Sequence, residues 1–121
     1  MRLKAMVRAL SSGIFITMLS AHSMTWAQTS PRQIEVTAKR YTFEPGEITL
    51  KRGERVLIVI KSRDVAHGLR IREFNAEVNV RADGTAKMQF TPDRTGDFVG
   101  HCSVFCGSGH GSMILKLHVV N

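Results

Sequence analysis

From Gln33 to the C-terminus, apolar residues recur at every second position over short runs, and no helical period lasts beyond a turn or two. IEVTA (Ile34 to Ala38) and YTF (Tyr41 to Phe43) come first, EPGE makes a turn, and ITL (Ile48 to Leu50) leads to a second turn, KRGE. RVLIVIKS is a nearly continuous apolar run, the pattern of a strand buried on both faces. HGLRIREF sets Leu69 and Ile71 against Arg70 and Arg72, a half-buried strand, and AEVNV alternates likewise. Asp83-Gly84 reads as a hairpin turn before AKMQF, which puts Ala86, Met88 and Phe90 on one face. DFVGHC follows the turn cluster TPDRTG. The last run, MILKLHVV, turns Met113, Leu115, Leu117 and Val119 inward and Lys116 and His118 outward. The expectation is an all-β, Greek-key sandwich of seven to eight strands.

The first 27 residues follow a different pattern. Arg2, Lys4 and Arg8 precede an apolar run that includes GIFITML, and the segment ends in AHSMTWA. This order is that of a secretory signal, with Thr25 and Ala27 at the −3 and −1 positions of a cleavage site. A retained membrane anchor is the competing expectation, weakened by Ser11, Ser12, Ser20, His22 and Ser23. The domain proper is expected over residues 28–121, in an exported, periplasmic or extracellular setting. Of the 121 residues, 17 are Lys or Arg and 10 are Asp or Glu, a net charge of +7. Removing the signal takes away three cations and no acid, so the charge falls to +4. That charge is scattered, which describes a solvated basic surface rather than a nucleic-acid-binding one.

The chemistry is concentrated in CSVFCGSGHGSM, from Cys102 to Met113. It holds both cysteines of the chain, a histidine and a methionine, spaced four, four and three residues apart. An oxidising compartment would favour a disulfide between an idle thiol pair. Thiolate and thioether sulfur suit Cu(I), imidazole accepts both copper oxidation states, and a thioether is an unusual zinc donor. A disulfide loop, a zinc site and a copper site all remain open, with copper favoured. A further histidine, His67 in SRDVAHGL, stands at the start of a strand. Asp64, three residues earlier, is placed to orient a ligand or a turn. His101 is expected at a surface edge near the site, His118 on a solvated face and Met88 in the core.

SRDVAHGL followed about forty residues later by GHCSVFCGSGHGSM resembles the copper A (CuA) domain of cytochrome c oxidase subunit II, a cupredoxin fold. The likeness extends from about Tyr41 to Val120, including EPGEI and TPDRTGDFVG. The resemblance implies a dinuclear copper centre with Cys102 and Cys106 as bridging thiolates, His67 and His110 as one ligand to each copper, and Met113 as a weak axial ligand. It also implies a carbonyl ligand from Val104, where the family usually has glutamate. The implied function is electron transfer rather than catalysis. Copper delivery through the same ligands is the alternative, and a mononuclear blue-copper carrier the third. Without the signal the chain has no tryptophan, and its +4 charge would repel a basic cytochrome c. The expected partner is therefore an acidic or neutral redox protein, or a copper-transfer protein. Membership of an oxidase complex is secondary, and membrane association is expected only through such a complex or a retained signal.

Overall fold

A computed structural model describes residues 22–121. The expected signal over residues 1–27 thus lies mostly outside the described residues, and residues 22–31 run without regular structure and are largely exposed. Among the described residues, no helix is long and apolar enough to cross a membrane.

Among the described residues the alternating runs form nine strands: β1 (Arg32–Lys39), β2 (Thr42–Glu44), β3 (Glu47–Lys51), β4 (Val56–Ser62), β5 (His67–Ile71), β6 (Ala76–Val80), β7 (Thr85–Phe90), β8 (Gly96–His101) and β9 (Ile114–Val120). They make two sheets, one ordered β2-β1-β4-β7 and the other β3-β9-β8-β5-β6. Both sheets are mixed, because β1 pairs with β4 and β3 with β9 in parallel register. The count exceeds the expected seven or eight because the chain changes sheet at the EPGE turn. β2 pairs with β1, whereas β3 pairs with β9 in the opposite layer. That crossing lets Phe43 and Ile48 enter one core from opposite sides.

The interior is the row of alternate residues that the pattern marks. Val36 and Ala38 of β1, Ile58 and Ile60 of β4, Leu69 and Ile71 of β5, and Leu115 and Leu117 of β9 have no exposed surface. Each such side chain contributes roughly 1.5–3 kcal/mol by leaving water. The central strand β4 also buries Val59 on its other face, as its continuous apolar run implies. Met88 lies in the core.

Two expectations need correction. The strand in HGLRIREF stops at Ile71, and Arg72–Phe74 forms a 3-10 turn closed by Asn75 in the left-handed region (φ 49°). The turn aims Phe74 at Phe90 and Phe98, with ring centroids 5.6 and 4.9 Å away, so tertiary packing ends the alternation. The Asp83-Gly84 turn exists, with Gly84 N–H donating to Arg81 O at 2.9 Å, but it is no hairpin. β6 and β7 belong to different sheets, and the turn crosses the sandwich so that Val80 and Met88 face each other's layer. Ser62 N–H donates to Gly84 O and anchors the crossing to the end of β4.

Candidate metal centre

One pole of the sandwich gathers the ends of β1, β4 and β8 and the starts of β5 and β9. His67 opens β5, Cys102 follows β8, and Met113 precedes β9. Cys102 N–H donates to Met113 O at 3.1 Å, which closes the base of the long loop between the two strands. Ser103 N–H donates to Gly68 O at 3.4 Å and lays the loop beside β5. Within the loop, a 3-10 turn over His110–Ser112 and the bond from His110 N–H to Gly107 O (3.1 Å) fold His110 back towards Cys106. Residues 35 positions apart in sequence thus meet through neighbouring strands of one sheet.

The resulting donor cluster is compact. The Cys102 and Cys106 sulfurs lie 3.7 Å apart as free thiols. His67 Nδ1 faces Cys102 Sγ at 3.9 Å, and His110 Nδ1 faces Cys106 Sγ at 3.7 Å. Met113 Sδ is 3.8 Å from Cys106 Sγ, and Val104 O is 3.2 Å from Cys102 Sγ. The donor atoms of His67, Cys102 and Cys106 all lie within 4.8 Å of one another. His67, Cys102, Cys106 and Met113 are buried, while Val104 and His110 are half-buried. All six residues singled out in the sequence therefore converge at this pole.

Asp64 occupies the place expected of it. Its Oδ1 accepts from His67 Nε2–H at 2.6 Å. A carboxylate can only accept there, so the proton sits on Nε2 and the Nδ1 lone pair is left facing Cys102. Asp64 Oδ2 accepts from the Arg40 N–H at 2.8 Å, and Oδ1 also accepts from Val65 N–H at 2.7 Å. Partial burial alone would raise the Asp64 pKa, but the bonds from Arg40, His67 and Val65 outweigh it and hold the carboxyl below its usual range. Burial, with Cys102 beside it, pushes the Cys106 thiol up to about 11. In the absence of a cation the Cys106 thiol prefers to stay protonated, and a soft metal would supply the compensating charge.

The donor set fits copper. It combines two free thiols, two imidazoles presenting Nδ1, a thioether and a carbonyl, a soft collection with a thioether that zinc seldom uses. The profile of the cupredoxin-like domain family matches residues 9–115. The chain belongs to that family.

Among curated relatives, this cupredoxin-like chain is similar to the probable cytochrome c oxidase subunit 2 of Streptomyces avermitilis. The two are 35% identical over 86 residues, covering 70% of this chain and 27% of the relative. It is also similar to cytochrome c oxidase subunit 2 of Thermus thermophilus, 31% identical over 88 residues, covering 71% of this chain and 65% of the relative. The chain thus spans roughly a quarter to two thirds of the length of these relatives. The periplasmic domain of cytochrome oxidase subunit II (CoxB) of Bradyrhizobium japonicum has the same fold. Its TM-score is 0.69 at 18% identity, covering 78% of this chain and 87% of that one. The resemblance to oxidase subunit II drawn from the two motifs therefore holds across most of the domain.

Three residues around this cupredoxin site escaped the sequence reading. Phe105 projects into solvent (78% exposed) with its ring 5.7 Å from that of His110. Tyr41 lies under the glycines of the loop, where a Cβ on Gly107 or Gly109 would run into its ring. The only hint was GSGHG itself, since paired glycines mark a close approach. Arg40 bridges two segments and had no signal at all. His101 is exposed, as expected, and shares with Cys102 and His110 a cleft of about 580 Å³ whose walls include Asp97 and Arg72. His118 is on the outer face, as expected, but it is held between two carboxylates.

Proposed function

We propose that this chain is an exported electron carrier whose centre is a pair of copper ions held by Cys102, Cys106, His67, His110, Met113 and the Val104 carbonyl. The observation that carries the proposal is the symmetric pairing of two free thiols 3.7 Å apart, each faced by the Nδ1 of its own histidine. A mononuclear blue-copper site would leave one cysteine idle, whereas here each sulfur faces a histidine Nδ1 and one further donor, Val104 O beside Cys102 and Met113 Sδ beside Cys106. The kinship with oxidase subunit 2 proteins supports the same reading.

Bound copper would supply a one-electron couple spread over the two sulfurs. The protein's own part is to hold the donors still and dry. β5, β8 and β9 fix three of the ligand-bearing positions, and Asp64 fixes the tautomer and ring plane of His67. Burial of four donors excludes water, so little solvent has to reorient when charge changes. Six donors from the protein favour a carrier over a catalyst, which keeps an open position for substrate. Partners are a redox donor and acceptor, and the setting is periplasmic.

Reconstitution tests this directly. The proposal expects two coppers per chain and an electron-spin spectrum with hyperfine splitting from two equivalent nuclei. Cys106→Ser is expected to abolish that spectrum. One copper per chain, bound only as Cu(I) and readily handed to a second protein, would assign the site to copper delivery instead.

A further inference from the structure

Arg40 lies in the short connection between β1 and β2, in the sheet opposite the ligand loop, and it makes two bonds of different kinds at the metal pole. Its guanidinium Nε–H donates to the Cys106 carbonyl at 2.8 Å, a contact spanning 66 residues. Its own backbone N–H donates to Asp64 Oδ2 at 2.8 Å, while the other oxygen of that carboxylate orients His67. One residue is thus bonded at once to the loop that carries Cys106 and His110 and to the segment that carries His67. The side chain lies along a hollow with Val65, Ala66, Phe105 and Gly107, directly over the Cys106 peptide. Tyr41, next in sequence, supports the same loop from beneath at Gly107 and Gly109.

We infer that Arg40 is a positioning residue for the metal centre, clamping the Cys106–His110 loop onto the His67 segment and holding a permanent positive charge beside the Cys106 side of the cluster. The inference rests on the copper reading for its electrical part and on the protein alone for its mechanical part. The Nε–H to carbonyl bond is charge-assisted, hence stronger than a neutral one, and guanidinium stays protonated at every working pH. A fixed cation next to a redox centre disfavours the state with the larger positive charge, which is the oxidised one. Arg40 therefore raises the midpoint potential, and Asp64, although close by, is already engaged by three donors.

The two parts separate experimentally with Arg40→Gln and Arg40→Lys, each first checked for a wild-type far-ultraviolet spectrum and unfolding midpoint. In the metal-free, reduced protein, both substitutions should speed amide exchange at His110 and Met113 about tenfold, while exchange in β4 and β9 stays unchanged. In the copper-loaded protein, Arg40→Gln should shift the ratio of oxidised to reduced protein by up to about tenfold, lowering the midpoint by up to about 59 mV. Arg40→Lys keeps a charge without the Nε–H, so its midpoint should lie between that of Arg40→Gln and wild type. Unchanged loop exchange in both variants would overturn the clamp. A midpoint for Arg40→Gln at or above wild type would overturn the electrostatic role. A wild-type chain that takes up no copper would sink the proposed function and the electrostatic role with it, and the exchange measurement would still decide the clamp.

Discussion

The Asp64–His67 bond orients one ring of the donor cluster. His67 is wholly buried, and its Nε2–H has one acceptor, Asp64 Oδ1 at 2.6 Å. Asp64→Ala leaves that donor in an apolar interior, a loss of about 1–3 kcal/mol. The Asp64 side chain itself is 32% exposed, so water can replace part of its bond to the Arg40 N–H, and the cost falls mainly on His67. Asp64→Asn should be almost as damaging. An amide has one acceptor oxygen, whereas the carboxylate receives His67 and Val65 on one oxygen and Arg40 on the other. Whichever way the amide turns, an N–H is set against an N–H. Loss of the orienting carboxylate should also weaken metal binding about 10–100-fold, because the imidazole is free to rotate and to exchange tautomers. Urea unfolding of the metal-free, reduced protein reads the first effect, and competition with a Cu(I) chelator reads the second. Nitrogen-15 shifts of the His67 ring should report Nε2–H in the wild type and a mixture in both variants. Stabilities within about 0.5 kcal/mol of wild type for both variants, with chelator competition unchanged, would refute the reasoning.

Other predictions bear on the loop, the surface and the core. Gly109→Ala pushes a methyl group into the Tyr41 ring and should cost about 1–3 kcal/mol by urea unfolding, and a second substitution, Tyr41→Ala, should make the Gly109 change nearly neutral. His118 meets a carboxylate at each ring nitrogen, 2.5 Å from Asp97 Oδ1 and 2.8 Å from Glu47 Oε1, and its protonated ring donates to both, so the bonds to Asp97 and then Glu47 raise its pKa. Because the folded value lies above the unfolded one of about 6.5, its stabilisation is fully present below that pH and disappears as pH rises through the folded pKa. Unfolding midpoints across that range should fall with pH in the wild type and be flatter in His118→Gln. Leu117→Ala, in the middle of β9 with no exposed surface, should lose about 2–5 kcal/mol by the same assay and leave the ligand set in place.

The candidate donor residues and the sandwich were legible in the chain itself for two separate reasons. A strand has a period of two, so a core shared by two sheets writes itself into the sequence as alternation, and MILKLHVV reads directly as the buried row of β9. A metal site needs particular atoms, and sulfur and imidazole donors at short spacing in one loop are too unusual to be incidental. Where alternation failed, tertiary packing had intervened. Phe74 leaves the strand pattern to join Phe90 and Phe98, and the Asp83-Gly84 turn, locally a hairpin signal, carries the chain to the other sheet. Which partner a strand takes depends on contacts far away in sequence, and local residues do not encode it.

The supports of the site belong to that second class. Sequence by itself determined which atoms could serve as metal donors, because ligand chemistry resides in side-chain identity. Only the tertiary structure decided that Arg40 reaches the Cys106 carbonyl, that Asp64 turns Nδ1 of His67 towards Cys102, and that Tyr41 fills the space left by Gly107 and Gly109. An arginine or a tyrosine in a turn is unremarkable in a sequence. It becomes part of the candidate metal centre when folding brings it within hydrogen-bond reach of the Cys102–Met113 loop, since directional contacts of about 3 Å depend on position, which residue identity does not carry.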